Sequence, residues 1–326
     1  MTLILTRQDV QQVLNMRDCI EAIAEVMQRF SAGDTVMPVR LVTKVPERGV
    51  HAAMPAVLPT LGVFGIKSIT IFPTNPSRGA PTILGLVILN ETETGRPLAV
   101  MDAGYLTGIR TAAASAVATR LLARPDASSL ALIGAGVQAA THLWAMCAVR
   151  PVKAVAVYDI DAQVAESFIL AQLQRFPKLA FRQAVSPEDA IRGADLVCTI
   201  SSSKTPVVDH SWLKPGAHIN GVGSHTPDAR ELDGPTVQAA RVAVDSRQAA
   251  LKEAGDFILP IQEGLFAAEH VSDEIGELLA GLKPGRASAD QITLYKSVGI
   301  AVQDVAAARL VYERAAAQGV GVEVAL

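Results

Sequence analysis

Residues 130–139 read Leu-Ala-Leu-Ile-Gly-Ala-Gly-Val-Gln-Ala, an apolar run that flows through Gly134-Ala135-Gly136 into a helix-compatible segment reaching Met146. Strand, tight turn and helix in that order match the pattern G-x-G-x-x-A, whose last position must be small if helix and strand are to pack closely. Gly134 supplies the turn, and the missing side chain at Gly136 lets backbone N–H groups approach a pyrophosphate. Glycines also occur at ordinary strand-to-helix turns, so this pattern needs support. It comes from a second apolar run, residues 152–158, that ends at Asp159, about 20 residues farther on, where an acid accepts hydrogen bonds from the adenosine ribose hydroxyls. The bland alternative is a Rossmann-like unit without a ligand. Strand, turn, helix and acid together favour a dinucleotide-binding half.

A chain of 326 residues exceeds one comfortable core, so two domains are expected. Half of the residues are apolar and only 4% are aromatic, which leaves much of the packing to alanine and valine, as in α/β proteins with helices on a parallel sheet. A net charge of −3, with both signs mixed along the chain, offers no surface for nucleic acid or membrane. Cys19, Cys147 and Cys198 are widely spaced in apolar runs and read as buried thiols in a reducing compartment. No basic segment precedes an apolar core at the N-terminus, and no apolar run approaches membrane-spanning length. These features point to the cytoplasm.

In chain order, Thr6 looks like the cap of a helix whose apolar positions Met16, Cys19, Ile20, Ile23, Met27 and Phe30 recur at helical spacing as far as Gly33. Residues 37–101 change to short β-rich runs, 41–45, 63–72 and 82–89, separated by turn residues such as Pro73-Thr74-Asn75-Pro76. They suggest an antiparallel or mixed sheet. Residues 103–124 read as one long alanine-rich helix that bridges the domains and ends at Arg124-Pro125-Asp126. The α/β alternation then continues, with helices expected over 162–175 and 187–193 and strands near 180–184, 195–200, 217–222 and 242–245. A last amphipathic helix, 299–317, follows the completed sheet and is expected to return to the first domain.

In open α/β sheets ligands bind beyond the carboxyl ends of the strands. The segments there are Ser201-Ser202-Ser203, Gly221-Val222-Gly223-Ser224-His225 and Asp245-Ser246. The serines could equally be ordinary loop residues, whereas two glycines flanking Val222 suggest a tight fit. The first domain contributes cations: Arg40 and Lys67 in β-like runs, and Arg110 among alanines on the long helix. A buried arginine needs an anionic partner, either a structural carboxylate or the carboxylate of a substrate held bidentately. The six histidines show no paired spacing, there is no C-x-x-C, and no G-x-S-x-G elbow is present, so neither a metal site nor a serine hydrolase is expected.

Several segments together carry a resemblance. Met54-Pro55, Gly65-Ile66-Lys67, the run R-T-A-A-A-S-A from Arg110 to Ala116, Gly134 to Ala139, Glu231-Leu232-Asp233 and Lys296-Ser297-Val298-Gly299 resemble the ornithine cyclodeaminase/mu-crystallin family over nearly the whole chain. The resemblance implies an α/β protein with a Rossmann NAD(P)-binding domain over residues 123–299. It also implies a smaller α+β domain for substrate and dimerisation, 1–122, completed by the returning helix within 300–326. A homodimer is implied, as is a substrate-carboxylate cradle at Arg40, Lys67 and Arg110 with a nearby hydroxyl at Thr82. Dinucleotide contacts are then expected at Thr111, Gly134, Gly136, Val137, Gln138, Asp159, Ser201, Val222, Gly223, Lys296 and Val298.

The departures from the family bear on activity. The aspartate that the cyclodeaminases carry after the strand ending near Val222 is matched here by His225, in Gly-Ser-His-Thr-Pro, and a second acid falls on Ala52. With both carboxylates gone, nothing evident binds a terminal ammonium, which argues against ornithine. The G-S-H-T-P variant resembles the branch that reduces cyclic imino acids, such as Δ1-pyrroline-2-carboxylate or Δ1-piperideine-2-carboxylate, to proline or pipecolate with NAD(P)H. Lys67 and His225 are then the candidate catalytic proton sources, histidine by virtue of its solution pKa. Cyclodeaminase chemistry, an alanine-dehydrogenase-like oxidoreductase, and a non-enzymatic mu-crystallin-like ligand binder are the competing expectations. A retained cradle weighs against the last.

Overall fold

Alternation with a period of two governs the first part of the chain. Along Gly49–Leu58 and Val63–Ile71, buried and half-buried residues take turns, so each strand commits one face to a core. In the computed structural model, which describes residues 1–325, these strands belong to the first of two units, Met1–Thr111 with the segment from Gly299 onward; the second unit is Ala112–Val298. The helix Ala103–Leu122 runs through the division.

The first unit holds a seven-stranded sheet in the order Val322–Val324, Thr2–Leu5, Pro97–Asp102, Ile83–Glu91, Val63–Ile71, Gly49–Leu58, Leu41–Val45. All pairs are antiparallel except Thr2–Leu5 against Pro97–Asp102. The helix Ala301–Gln318 packs on the three middle strands, and the helices Arg7–Val13 and Met16–Ser31 pack on it. That face of the sheet carries Val63, Lys67, Ile69, Val87 and Leu89, all buried. The opposite face is apolar too: Ile88 stands across from Ile66, and Ile66 across from Pro55, while Leu84, Leu86 and Ile88 are exposed.

The N-terminal helical region is two helices rather than one. Leu14 is extended, and the side chain of Asn15 accepts from Asp18 N at 3.1 Å and restarts the helix at Met16. The strand Gly49–Leu58 was hidden by its histidine, proline and small residues, and Thr2–Leu5 and Val322–Val324 by their brevity.

The second unit is a parallel sheet in the order Asp273–Glu274, Arg241–Val244, Thr293–Lys296, His218–Gly221, Leu196–Thr199, Ser129–Ile133, Ala154–Tyr158, Ala180–Gln183. Every residue of the three strands Leu196–Thr199, His218–Gly221 and Thr293–Lys296 is buried, as covering on both faces requires. Strand order reverses at Ser129–Ile133, which has the second strand on one side and the fourth on the other; this is the Rossmann switch point. No helix among the described residues is long and apolar enough to cross a membrane.

Asp195 ties the lower ends of the central strands together. Its Oδ2 accepts from Ser128 N at 2.9 Å, Ser129 N at 3.0 Å and Ser129 Oγ at 2.8 Å, and its Oδ1 pairs with Arg124 and with Lys214 at 2.7 Å. Burial pushes this carboxyl upward, but the bonds from Lys214, Ser128 and Ser129 outweigh it and hold Asp195 well below the usual carboxylate range. A depressed folded-state pKa means stability that is present above the ordinary value of 3.8 and lost as the pH falls beneath it. Asp195→Asn is therefore expected to lower the melting temperature at pH 7, and the gap from wild type to close as the pH is lowered through 3.8, read by thermal melts across that range.

Candidate active site

In the second unit, the strand Ser129–Ile133 ends at Gly134, whose φ of +105° favours glycine, and a Cβ there would lie 2.8 Å from the carbonyl oxygen of Ile200. The turn thus needs glycine for both conformation and space. Gly136 is different. It caps the helix Val137–Val149 with extended backbone and no side-chain bond, and a Cβ there would meet nothing within 4 Å. The helix N-terminus is therefore open, with its backbone N–H groups and positive dipole end directed at whatever enters. Val137, the first helical residue, is 81% exposed, and Gln138 is half-buried.

Asp159 closes the same corner. Its Oδ2 accepts from Ala135 N at 2.8 Å and its Oδ1 from Asp161 N at 3.0 Å, which locks the glycine turn to the end of the neighbouring strand. A cleft of about 520 Å³ is lined by Gly134, Gly136, Asp159, Ile160, Ser201 and Val207, among others. An open helix N-terminus, a glycine with room above it and an acid at the rim fit a dinucleotide. Val222 and Gly223 follow the strand His218–Gly221 and are half-buried. Lys296 is fully buried, its Nζ 2.7 Å from Asp256 Oδ2 and donating to the Ser224 carbonyl at 2.5 Å, so its ammonium holds the Ser224 loop. Val298 donates its N–H to Asp245 Oδ2 at 3.0 Å. Thr111 belongs to the first unit, where it is buried beside Arg110.

The first unit gathers the three cations. Strand alternation turns Lys67 inward, beneath the helix Ala301–Gln318, and Asp304 in the first turn of that helix meets it. Lys67 Nζ lies 2.8 Å from both carboxylate oxygens of Asp304, and Arg110 Nε lies 2.8 Å from Oδ1. Arg110 Nη1 also donates to Gln303 Oε1 at 2.8 Å. Lys67 is 1% exposed and Asp304 is fully buried. Arg40 donates to the carbonyl of Gly299, a residue with φ of +72° at which a Cβ would lie 2.7 Å from Arg110 Nη1. Arg40, Lys67 and Arg110 thus converge on residues 299–304. Thr82 sits half-buried ahead of the strand Ile83–Glu91, its carbonyl accepting from Phe72 N at 2.8 Å, and is not among the partners of these bonds.

Two buried cations sharing one carboxylate leave a surplus of positive charge. Burial pushes the Lys67 ammonium down, Arg110 adds to the effect and Asp304 opposes it, bringing the pKa from 10.5 to about 7. Lys67 is thereby able to release a proton near neutrality. His225 occupies an exposed loop of the second unit, with Nδ1 3.0 Å from the Gly223 carbonyl. A carbonyl only accepts, so Nδ1 carries the hydrogen in this bond. Ala52 is buried in the strand Gly49–Leu58. Among the described residues no group of three or more His, Cys, Asp or Glu is placed to hold a metal ion.

Sequence reasoning missed Asp304 and Gln303. Their signal was present: a glutamine and an aspartate side by side at the start of an alanine-rich helix, on the stripe that must be buried.

The family model described as ornithine cyclodeaminase/mu-crystallin family matches residues 1–319. A Δ1-pyrroline-2-carboxylate reductase of Bacillus cereus is 39% identical over 323 residues, covering 98% of each chain. Among solved structures, Thermococcus litoralis Δ1-pyrroline-2-carboxylate reductase in complex with NADH and L-proline superposes with a TM-score of 0.96 at 37% identity, covering 99% of this chain and all of the other. An archaeal alanine dehydrogenase dimer with bound NAD follows at a TM-score of 0.94 and 37% identity, covering 100% and 99%. A family model matched along residues 1–319 and a relative 39% identical over 98% of each chain agree: the chain belongs to the ornithine cyclodeaminase/mu-crystallin family.

Proposed function

We propose that this protein reduces a cyclic imino acid, Δ1-pyrroline-2-carboxylate or its six-membered homologue, to L-proline or L-pipecolate. The observation that carries the proposal is the surplus charge at Lys67 and Arg110, two buried cations on the single carboxylate of Asp304. A substrate carboxylate balances that charge, and a guanidinium fixes its plane. Arg40, Lys67 and Arg110 form the cradle, with Thr82 beside it. Gly134, Gly136, Val137, Gln138, Asp159 and Ser201 hold the dinucleotide, helped by Thr111, Val222, Gly223, Lys296 and Val298. A nicotinamide held by these residues would supply the hydride for the imine carbon. Lys67 or His225 supplies the proton that the nitrogen takes up. The similarity to reductases of this kind supports the reading, and so does the absence of carboxylates at positions 52 and 225 for an ammonium to pair with. The likeness to an alanine dehydrogenase favours a second reading, in which the same cradle takes the open-chain imine formed from pyruvate and ammonia. The three free cysteines support a cytoplasmic setting.

The decisive assay follows nicotinamide absorbance with each imino acid, with pyruvate plus ammonia, and with ornithine. Oxidation of NADH by Δ1-pyrroline-2-carboxylate with proline formed is the expected result, and ammonia release from ornithine overturns it. Arg110→Ala is expected to lose about ten- to a hundredfold in kcat/KM, the worth of a charge-assisted contact. The value of kcat/KM should fall as the pH rises through about 7, where Lys67 of the free protein loses its proton. His225→Ala retaining that limb while lowering kcat assigns the limb to Lys67 and places His225 in a separate step.

NADH is proposed to serve at least as well as NADPH, because Asp159 at the ribose position repels a 2′-phosphate. Asp159→Ser is expected to shift the ratio of kcat/KM toward NADPH. Gly136→Val should weaken NADH binding by about tenfold or more while leaving the melting temperature unchanged, since its side chain enters space that is open in the fold. A wild type strongly selective for NADPH overturns the cofactor assignment.

The assembly is proposed to be a homodimer formed through the outer face of the first unit's sheet. Leu84, Leu86 and Ile88 expose an apolar row that a soluble monomer rarely carries. Light scattering is expected to give twice the chain's mass, and Leu86→Glu with Ile88→Glu to shift it toward the monomer; a wild-type monomer at micromolar concentration overturns the proposal.

A further inference from the structure

Glu231 is fully buried, and its carboxylate receives hydrogen bonds from two loops at once. Oε1 accepts from Ser201 N at 2.8 Å and Ser201 Oγ at 2.6 Å; Oε2 accepts from Gly223 N at 2.7 Å and Ser224 N at 3.2 Å. The donors stand just beyond the carboxyl ends of the adjacent parallel strands Leu196–Thr199 and His218–Gly221, where ligands bind in sheets of this kind. The loops touch: a Cβ at Gly223 would lie 2.2 Å from the Ser201 carbonyl oxygen and 2.5 Å from Glu231 Oε1. The glycine turn lies against the Ser201 side of this group: a Cβ at Gly134 would lie 2.8 Å from the Ile200 carbonyl oxygen and 3.1 Å from Ser201 Cα.

The carboxylate is itself held from behind. Asp256 Oδ1 accepts from Glu231 N at 2.7 Å and Leu232 N at 2.9 Å, while Lys296 bridges Asp256 and the Ser224 carbonyl. The loop from Gly223 to Arg230 is closed on itself by the bond from Ser224 Oγ to the Ala229 carbonyl, and Gly255 N donates to the Thr226 carbonyl at 3.1 Å. Its tip, residues 225–228, is exposed and carries His225. Three of the four groups facing Glu231 are backbone N–H groups, which only donate, so an amide of the same shape would set its own N–H against at least one of them whichever way it turned.

We propose that Glu231 is a positioning residue: its carboxylate sets the Ser201 loop that lines the dinucleotide cleft and the Gly223 loop that presents His225, and couples the two. The proposal rests on reading the cleft as the dinucleotide site and His225 as a group of the reaction. A tie that merely stabilised the fold would lower the melting temperature without touching cofactor affinity or turnover below the melt.

The test compares Glu231→Gln and Glu231→Asp with wild type by NADH fluorescence titration without substrate, and by kcat and KM for Δ1-pyrroline-2-carboxylate. Glu231→Gln is expected to raise the NADH Kd and lower kcat, each by about tenfold or more. Glu231→Asp, which keeps both acceptors on a shorter stem, should recover most of both. Values for Glu231→Gln within about twofold of wild type overturn the proposal, whatever its melting temperature. Should Glu231→Gln not fold, Ser201→Ala takes its place: it deletes one donor to Oε1, and an unchanged NADH Kd there overturns the proposal equally. A wild type that binds NADH without reducing the imine refutes the proposed reaction and leaves Glu231 to be judged on Kd, whereas a wild type that binds neither NADH nor NADPH refutes both.

Discussion

Lys67, Arg110 and Asp304 impose the constraint on which the first unit depends. An ammonium, a guanidinium and a carboxylate lie together out of water, and removing the carboxylate would leave two like charges buried side by side. The arrangement follows from simple periodicities. A period of two turns Lys67 to the core face of its strand, and the first turn of the helix Ala301–Gln318 places Asp304 above it, at the helix end that favours an acid. The positive surplus that remains is the observation on which the proposed carboxylate site rests.

How much of this the sequence disclosed can be judged element by element. The glycine turn and Asp159 were legible because Gly134 and Gly136 are local devices: their requirements lie in a dozen consecutive residues. The three cations were legible as charges in apolar surroundings, but their partner was not, because Asp304 is more than two hundred positions from Lys67 and only the fold pairs them. Thr293–Lys296 is a central strand of four residues, too short to show any period, and its buried Lys296 argues against a core strand until Asp256 is seen. Glu231 illustrates the same limit. In the sequence it appears only within Glu231-Leu232-Asp233, one of the segments that carry the family resemblance, and nothing local tells that its four donors come from two other loops.

The family scaffold accommodates reductases and dehydrogenases of equal overall likeness, so global similarity does not select among chemistries. Selection falls to single positions. In the proposed function the carboxylate cradle serves any α-imino or α-amino acid alike, and the resemblance makes positions 225 and 52 the ones that distinguish substrates with a second ammonium. A histidine and an alanine stand there in this chain, and the proposed function rests in part on that difference.

The first unit is assembled from both ends of the chain, and this has a consequence for biosynthesis. Residues 112–298 are complete, with their whole parallel sheet, before Asp304 has been made. Until the helix Ala301–Gln318 arrives, Lys67 and Arg110 lack their counter-ion and the middle strands Gly49–Leu58, Val63–Ile71 and Ile83–Glu91 lack the helix that covers them. On the ribosome the nucleotide half is therefore free to fold first. The β-rich segment made before it must wait, with a sheet face uncovered and two charges unpaired, until the final helix closes it.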